Sequence, residues 1–142
     1  MSGFVDGLAL WAVQDALLAA LKLEDSLIDK GLGLGHPTDI EPEHVWIGGN
    51  ARGSVTNELA GETAPSDETL SFPVFIFAQA DDYLASRTKL KELGGAVERA
   101  LASDGVKAVL PSWGCSDYEL DSGTDGSNVQ LCLQLTIEGQ CW

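Results

Sequence analysis

Apolar and polar residues alternate strictly near the end of the chain, from Val129 to Ile137. Every odd position in this stretch is aliphatic, and the even positions hold glutamine, cysteine and threonine. Because successive side chains of a strand point to opposite faces, the pattern predicts a strand with one buried and one mildly polar face. A helix is excluded, since at about 100° per residue the aliphatic positions would scatter around its axis. The rest of the chain must therefore supply a cover for the aliphatic face.

A second strand is predicted from Leu70 to Ala80, and its middle is apolar on both faces. One face carries Phe72, Val74, Ile76 and Ala78, and the other carries Pro73, Phe75, Phe77 and Gln79. Helices on only one side of the sheet would leave Phe75 and Phe77 in water. Neighbouring aromatic residues on an uncovered sheet face are typical of an association surface. The alternative is that a long loop of the same chain folds back over them.

Two amphipathic helices are predicted, the first from Phe4 to about Leu23 and the second from about Tyr83 to Ser103. Apolar residues recur in both at spacings of three and four, which places them on one stripe. Asp81 and Asp82 precede the second helix, where a carboxylate can accept hydrogen bonds from the free amide groups of the first turn. Polar residues occupy the opposite side of each helix, so each is expected to lie on the sheet.

The segments before the second strand are harder to assign. Lys30 to Glu43 is rich in glycine and proline and is expected to be an irregular connection, not a phosphate-binding loop, because no clear strand precedes it and no helix follows. His44 to Ile47 predicts a short strand. Asn50 to Thr69 predicts a long loop of the kind that binds a partner or becomes ordered on assembly. Part of this stretch could instead extend the short strand, with Arg52 to Leu59 returning as a hairpin arm.

The C-terminal third predicts a meander of strands. Val106 to Trp113 is a third strand candidate interrupted by proline, and Cys115 to Leu120 is a fourth. Asp121 to Asn128 is rich in Gly, Asp and Ser, which favours a turn that leads antiparallel into the last strand. This order of elements predicts an α+β fold in a single domain over residues 1–142. It would be a two-layer sandwich, with two helices on one face of a mostly antiparallel sheet.

The chain is strongly acidic, with 22 Asp and Glu against 8 Lys and Arg and a formal net charge of −14. This charge disfavours nonspecific binding to nucleic-acid phosphates and anionic membranes. The negative charge would suit a basic partner, or an acidic conduit that must not bind DNA. It could equally serve only to keep the protein soluble. No segment has the length and apolarity of a membrane span or the basic start of a secretory signal, so no membrane partner is expected.

No catalytic, cofactor or metal site is predicted. The three cysteines are odd in number and far apart, which favours a reducing cytoplasm over a disulfide framework. His36 and His44 lie in a loop-rich stretch without the clustered ligands that a metal needs. Nothing in the spacing of Ser54, His44 and Asp39 positions a nucleophile against a base.

Three features of the chain, taken in order, resemble a known family. The first helix ends in Leu-Leu-Ala-Ala-Leu-Lys (Leu17–Lys22), the apolar strand Phe72–Ala78 continues into an Asp-Asp-Tyr helix start (Asp81–Tyr83), and the alternating strand Val129–Ile137 comes last. In this pattern, which spans nearly the whole chain, the sequence resembles the tail terminator proteins of long-tailed phages. These belong to the broad group of minor tail and tail-completion proteins.

The resemblance implies a ring, commonly a hexamer, that caps the head-proximal end of the tail tube, stops its polymerisation and gives the neck proteins a docking surface. Such a protein is not an enzyme. The implied partners are further copies of the chain, the tail-tube protein and the head or neck connector protein. The implied location is the virion tail, after assembly in the host cytoplasm. DNA would be present only as cargo, passing through an acidic lumen that repels its phosphates.

The expected contacts between copies are made by aromatic residues, namely Trp46, Phe75, Phe77 and Trp113. Two other functions fit the same residues. A small acidic inhibitor, such as an immunity protein that covers the basic site of a toxin nuclease, would use charge complementarity. A head–tail connector or neck protein would share the structural class of a terminator but occupy another position in the particle.

Overall fold

The computed structural model describes residues 5–56 and 67–141. A short 3-10 turn at Val5–Gly7 precedes the first helix, and a second at Asp25–Leu27 follows it. The helices are α1 (Ala9–Lys22), α2 (Tyr83–Leu101) and α3 (Asp104–Lys107). The strands are β1 (Gly31–Leu34), β2 (Glu43–Ile47), β3 (Arg52–Thr56), β4 (Asp67–Ala80), β5 (Ser112–Asp125) and β6 (Asn128–Cys141).

The strands form one sheet in the order β1-β2-β4-β6-β5, and β3 pairs with the first part of β4. β1 and β2 run parallel, and every other pair is antiparallel. β6 pairs with β4 from Glu68 to Ala80 and with β5 along almost the whole hairpin. The predicted two-layer α+β fold with a mostly antiparallel sheet is confirmed.

The helices pack against one side of the sheet, which we call the helix face. Val45 of β2, Ile76 of β4 and Leu131 of β6 are fully buried there. They form one cluster with buried residues of α1 and α2, such as Leu17 and Val97. The opposite side, which we call the second face, carries the alternate residues of the same strands. Strict alternation in β4 and β6 therefore divides one sheet into two surfaces of different composition.

The start of α2 follows the expected capping chemistry. Asp82 has an extended backbone, and its Oδ1 accepts a hydrogen bond from the Ala85 amide at 2.8 Å. The start of α1 is capped from a distance, because the buried Glu68 of β4 accepts a hydrogen bond from the Ala9 amide at 2.7 Å. A carboxylate is favourable at a helix N-terminus, where several amide groups lack intrahelical partners. This contact ties α1 to the sheet.

Two predicted assignments were wrong before β4. The segment from Lys30 to Glu43 was expected to be irregular, yet it contains β1. Gly31 suits this strand because the His44 ring lies over it, and an added Cβ would be 2.3 Å from the ring. The alternative hairpin arm does not return along β2, since Arg52–Thr56 forms β3, which pairs with β4 and runs in the same direction as β2. The rest of the predicted long loop up to residue 66 lies outside the described residues.

Two further assignments were wrong after α2. The third strand candidate, Val106 to Trp113, is replaced by α3 and the start of β5, because the chain makes a last helical turn before Pro111. β5 continues through the predicted turn to Asp125, so the loop consists only of Gly126 and Ser127. A polar composition thus concealed an exposed strand, which has no buried face to reveal it by alternation.

Candidate functional site

Aromatic residues of neighbouring strands form a cluster on the second face. The Trp46 ring stacks on Phe75, with centroids 5.1 Å apart and planes at 10°. His44 and His36 each approach Trp46 edge-on with centroids 5.6 Å away. The pairing of β2 with β4 creates this arrangement, because it sets Trp46 beside Phe75 and His44 beside Phe77. Such stacked and edge-to-face contacts stabilise a fold beyond the area they bury.

The cluster is mostly buried within its own chain. Trp46 is 3% exposed and Phe77 is 9% exposed, while Phe75 is half-buried. The expectation that Phe77 would lie in water was wrong. The segment after β1 contributes to this burial, since it places His36 against Trp46. The proposed interface role of these aromatic residues stays a prediction, and Phe75 offers the largest accessible surface among the three.

His44 has a structural environment. Its Nδ1 accepts a hydrogen bond from the Glu41 amide at 2.9 Å, and burial lowers the pKa of the imidazole, although nearby Glu41 acts in the opposite direction. In the described part of the chain it makes no hydrogen bond with Ser54 or Asp39. Within residues 5–56 and 67–141, no group of three or more His, Cys, Asp or Glu residues is placed to hold a metal ion.

Trp113 lies apart from the aromatic cluster. It pairs with Gly139 near the start of β5 and packs, partly buried, against the edge of the core on the helix face. It also lines a shallow depression of about 370 Å³ together with Thr69 and Glu138. The four aromatic residues expected at an interface therefore do not form one patch. Three lie together on the second face, and the fourth lies on the other side of the sheet.

Sequence reasoning missed an apolar surface on the β5–β6 hairpin. Tyr118 is 71% exposed and Leu120 is 42% exposed, and both lie on the helix face where α2 does not cover them. The half-buried Leu133 and Leu135 of β6 are their cross-strand neighbours. The same two leucines line a groove of about 360 Å³ against Gly94 and other residues of α2. We call Tyr118, Leu120, Leu133 and Leu135 the hairpin apolar surface.

An acidic row lies on the second face of the same strand. Ser116 is an extra residue between Cys115 and Asp117 in the register of β5 with β6, which is a β-bulge. After the bulge, Asp117, Glu119 and Asp121 pair with Thr136, Gln134 and Cys132, so all three carboxylates point the same way. Burial raises the pKa of the Cys132 thiol, and the charge of Asp121 adds to this effect.

The two ion pairs of the described residues lie elsewhere, and each joins two segments of the same chain. Lys30 pairs with Glu43 across the β1–β2 edge, and the hydrogen bond to Glu43 raises the pKa of Lys30 despite some burial. Arg99 of α2 pairs with Glu24 after α1 at 2.8 Å. Neither pair involves the acidic row. Among the residues described, no helix has the length and apolar character needed to cross a membrane.

Comparisons with known proteins give a likeness of fold. No model of a known protein family matches the chain. No curated protein sequence matches it either. Among solved structures, one chain of the "Virion of native gene transfer agent (GTA) particle" is similar, with a TM-score of 0.59 and 11% identity. The similarity covers 94% of this chain and 96% of the other, so it includes both the helix layer and the hairpin.

Proposed function

We propose that this protein is a structural component of a phage-like particle, and that within the particle it acts as a tail terminator. It would form a ring, of six copies in the resembled family, at the head-proximal end of the tail tube. There it would stop polymerisation and bind the neck or connector protein. This role needs surfaces for partners and no catalytic group.

The observation that carries the proposal is the end-to-end likeness of fold to a chain of a virion particle, with 94% and 96% of the two chains covered. At 11% identity this likeness concerns the fold alone. The exposed hairpin supports the proposal independently, because an apolar surface on an edge strand is typical of an assembling subunit. The net charge of −14 also suits a subunit beside a DNA channel.

The proposal is tested with the tail-tube protein of the phage-like particle to which this chain would belong. The purified tube protein is allowed to polymerise alone and with increasing amounts of this chain, and tubes are measured by negative-stain electron microscopy. A terminator shortens the tubes in proportion to its amount, and a gold-labelled tag on this chain appears at one end of each tube. A label at neither end, with tube lengths unchanged, would contradict the terminator role.

A neck or connector protein predicts a different result in the same experiment. Its label would appear on portal or connector particles, and tube length would not depend on it. The structural class would then stand, while the position in the particle would change.

The acidic row favours one function of another class. Asp117, Glu119 and Asp121 form a one-sided anionic strip on an exposed strand, which suits an inhibitor that covers the basic site of a nuclease. An inhibitor of this kind stays monomeric and binds its target with an association rate that falls steeply with salt. Sedimentation of the protein at high concentration separates the two functions, since a terminator subunit self-associates.

A further inference from the structure

Three strands have no outer neighbour among the described residues, namely β3, which pairs only with β4, and the two strands at the ends of the strand order. β1 forms one end of the strand order and β5 forms the other. On an edge strand, alternate N–H and C=O groups point away from the sheet and are free to pair with another chain. The two ends of the strand order therefore present backbone surfaces, on opposite sides of the molecule, that can each extend a sheet.

The β5 edge is unsuited to pairing with a second β5. Asp117, Glu119 and Asp121 lie on one face, and an antiparallel pair of β5 strands would bring these carboxylates of two copies together. Like charges placed directly across two strands are destabilising. This row acts against a two-fold dimer through the hairpin and leaves the edge available to an uncharged strand.

The β1 edge is such a strand. Gly31 to Leu34 contains no charged residue, and Lys30 precedes it. On the second face β1 presents only Gly31 and Gly33, and nothing lies within 4 Å of a Cβ added at Gly33. No carboxylate of β1 would therefore face the acidic row of an incoming β5.

The strand directions of the two edges are compatible. β1 and β2 run parallel, and the three steps from β2 through β4 and β6 to β5 are each antiparallel. β5 consequently runs opposite to β1. When two copies stand side by side in the same orientation, β5 of one meets β1 of the next as an antiparallel neighbour, and the same face of the sheet continues across the junction.

The apolar residues of the two edges would then meet. Leu34 of β1 is 47% exposed and pairs with Ile47, which places it on the helix face. Tyr118 and Leu120 lie on the helix face of β5. Across an antiparallel junction, side chains on the same face of adjacent strands are in contact range. Leu34 of one copy would thus pack beside the hairpin apolar surface of the next.

We propose that β5 of one copy pairs antiparallel with β1 of a second copy, with Leu34 beside Tyr118 or Leu120 and Gly33 beside the acidic row. This inference rests on the proposed ring, for which it supplies the interface. The contact is head-to-tail, so each copy offers one edge and accepts on the other, and repeated contacts close into a ring when the rotation allows it. With the helices outside, the acidic row faces the ring axis.

The size of the junction sets how the free chain behaves. β1 has only 4 residues, so the paired backbone is short and the buried area is below that of a permanent dimer. Association of the isolated protein is therefore expected to be weak and concentration-dependent, and to become strong when several contacts close together.

A matched pair of charges at Gly33 tests the junction. A side chain at this position has room in the free subunit, so Gly33→Glu and Gly33→Lys are expected to fold alike by circular dichroism. Glu would face the acidic row of the neighbour and raise the concentration at half-assembly by about two- to fivefold, whereas Lys would lower it. Sedimentation velocity measures both, and the difference shrinks at high salt because the charges are screened. Equal assembly of the two variants overturns the proposal.

Disulfide trapping tests the direction of the contact. In a Cys115→Ser background, one variant carries Leu34→Cys, and two others carry Tyr118→Cys or Leu120→Cys. Directly opposed residues in an antiparallel pair have Cα atoms about 4.5–5.5 Å apart, which suits a disulfide. Oxidised dimers are expected only when the Leu34→Cys protein is mixed with one of the β5 variants. Dimers of a β5 variant alone, or none in any mixture under ring-forming conditions, overturn the proposal.

The two hypotheses fail in different ways. If rings form on tube ends, but the Gly33 variants assemble alike and no mixed disulfide forms, the terminator role stands and this interface is wrong. If the mixed disulfide forms and the Gly33 variants differ as expected, but the assemblies do not bind tube ends, the interface stands and the terminator role is wrong.

Discussion

The strands β4 and β5 are both 14 residues long, and both pair with β6, yet they have opposite surroundings. From Leu70 to Ala78 every β4 side chain is buried or half-buried, whereas Trp113 is the only shielded side chain of β5. β4 lies beneath α2, with β2 and β3 along one edge and β6 along the other, whereas β5 borders solvent. The sheet therefore concentrates its buried core in one half and leaves the other half exposed to solvent.

Because of this contrast, similar substitutions are expected to have different effects in β4 and in β5. A change in β4 is expected to affect folding, because packed neighbours cannot relax around it. A change in β5 is expected to leave the monomer intact and to affect only association.

The largest difference is expected between two apolar truncations. Phe72→Ala removes a side chain that is 2% exposed in the core and should lower the free energy of unfolding by about 3–5 kcal/mol. Leu120→Ala truncates a side chain that is 42% exposed in β5 and should change it by less than about 0.5 kcal/mol. Urea denaturation of the dilute monomer measures both. Equal losses would show that the hairpin is part of the folding core.

A second comparison uses two glutamates of the same sheet. Glu68 is 3% exposed and accepts the amide hydrogen bond of Ala9 at the start of α1. Glu68→Ala leaves that partly buried amide without its acceptor and should cost about 1–3 kcal/mol. Glu68→Gln keeps an acceptor oxygen and should lose less. Glu119→Ala, in the exposed acidic row, should leave the urea midpoint nearly unchanged.

The half of the sheet that carries the core is also the half that the sequence predicted best. β4, β6 and α2 each bury a regular set of apolar residues, so periodicity located them to within a few residues. β1 was missed because Gly31 and Gly33 provide no alternation of polarity, and only Cys115 to Leu120 of β5 was predicted because both faces of this strand are exposed. Alternation of apolar and polar residues marks a strand only when one of its faces is buried, so an exposed strand leaves no such pattern in the sequence.

The same physical reason limits the prediction of the site. Phe75 and Phe77 were correctly assigned to one face of the sheet, but the sequence did not show that Trp46 would join them or that the three would be largely buried there. The exposure of the hairpin apolar surface depends on how far α2 extends over the sheet towards β5. This is a property of the tertiary structure and cannot be read from local sequence patterns. The face of the acidic row depends on the register that the Gly126–Ser127 turn sets between β5 and β6, and the bulge at Ser116 shifts the residues before it, so that Trp113 and Cys115 lie on the helix face.

A pH series tests the buried half alone. Burial lowers the pKa of His44 from its ordinary value of 6.5, so on acidification the unfolded chain binds a proton that the folded chain resists. The stabilising contribution of neutral His44 is complete above pH 6.5 and is lost progressively below it. His44→Asn, which removes the titration, should show a smaller fall in unfolding free energy between pH 7.5 and 5.5. An identical fall would assign the pH dependence to other groups.

The smallest effect is expected in the hairpin turn, where two glycines of the exposed half differ in backbone conformation. Gly126 has a φ of +63°, which an L-residue rarely adopts, whereas Gly123 has no such constraint and nothing lies within 4 Å of an added Cβ. Gly126→Ala should therefore destabilise the monomer by about 1 kcal/mol, and Gly123→Ala should be neutral or slightly stabilising. Thermal unfolding of the dilute protein measures both. If Gly126→Ala unfolds with the wild-type midpoint, the end of the hairpin separates from the sheet without unfolding the core. The exposed half would then contribute less to the stability of the buried half than the continuous pairing of β5 with β6 indicates.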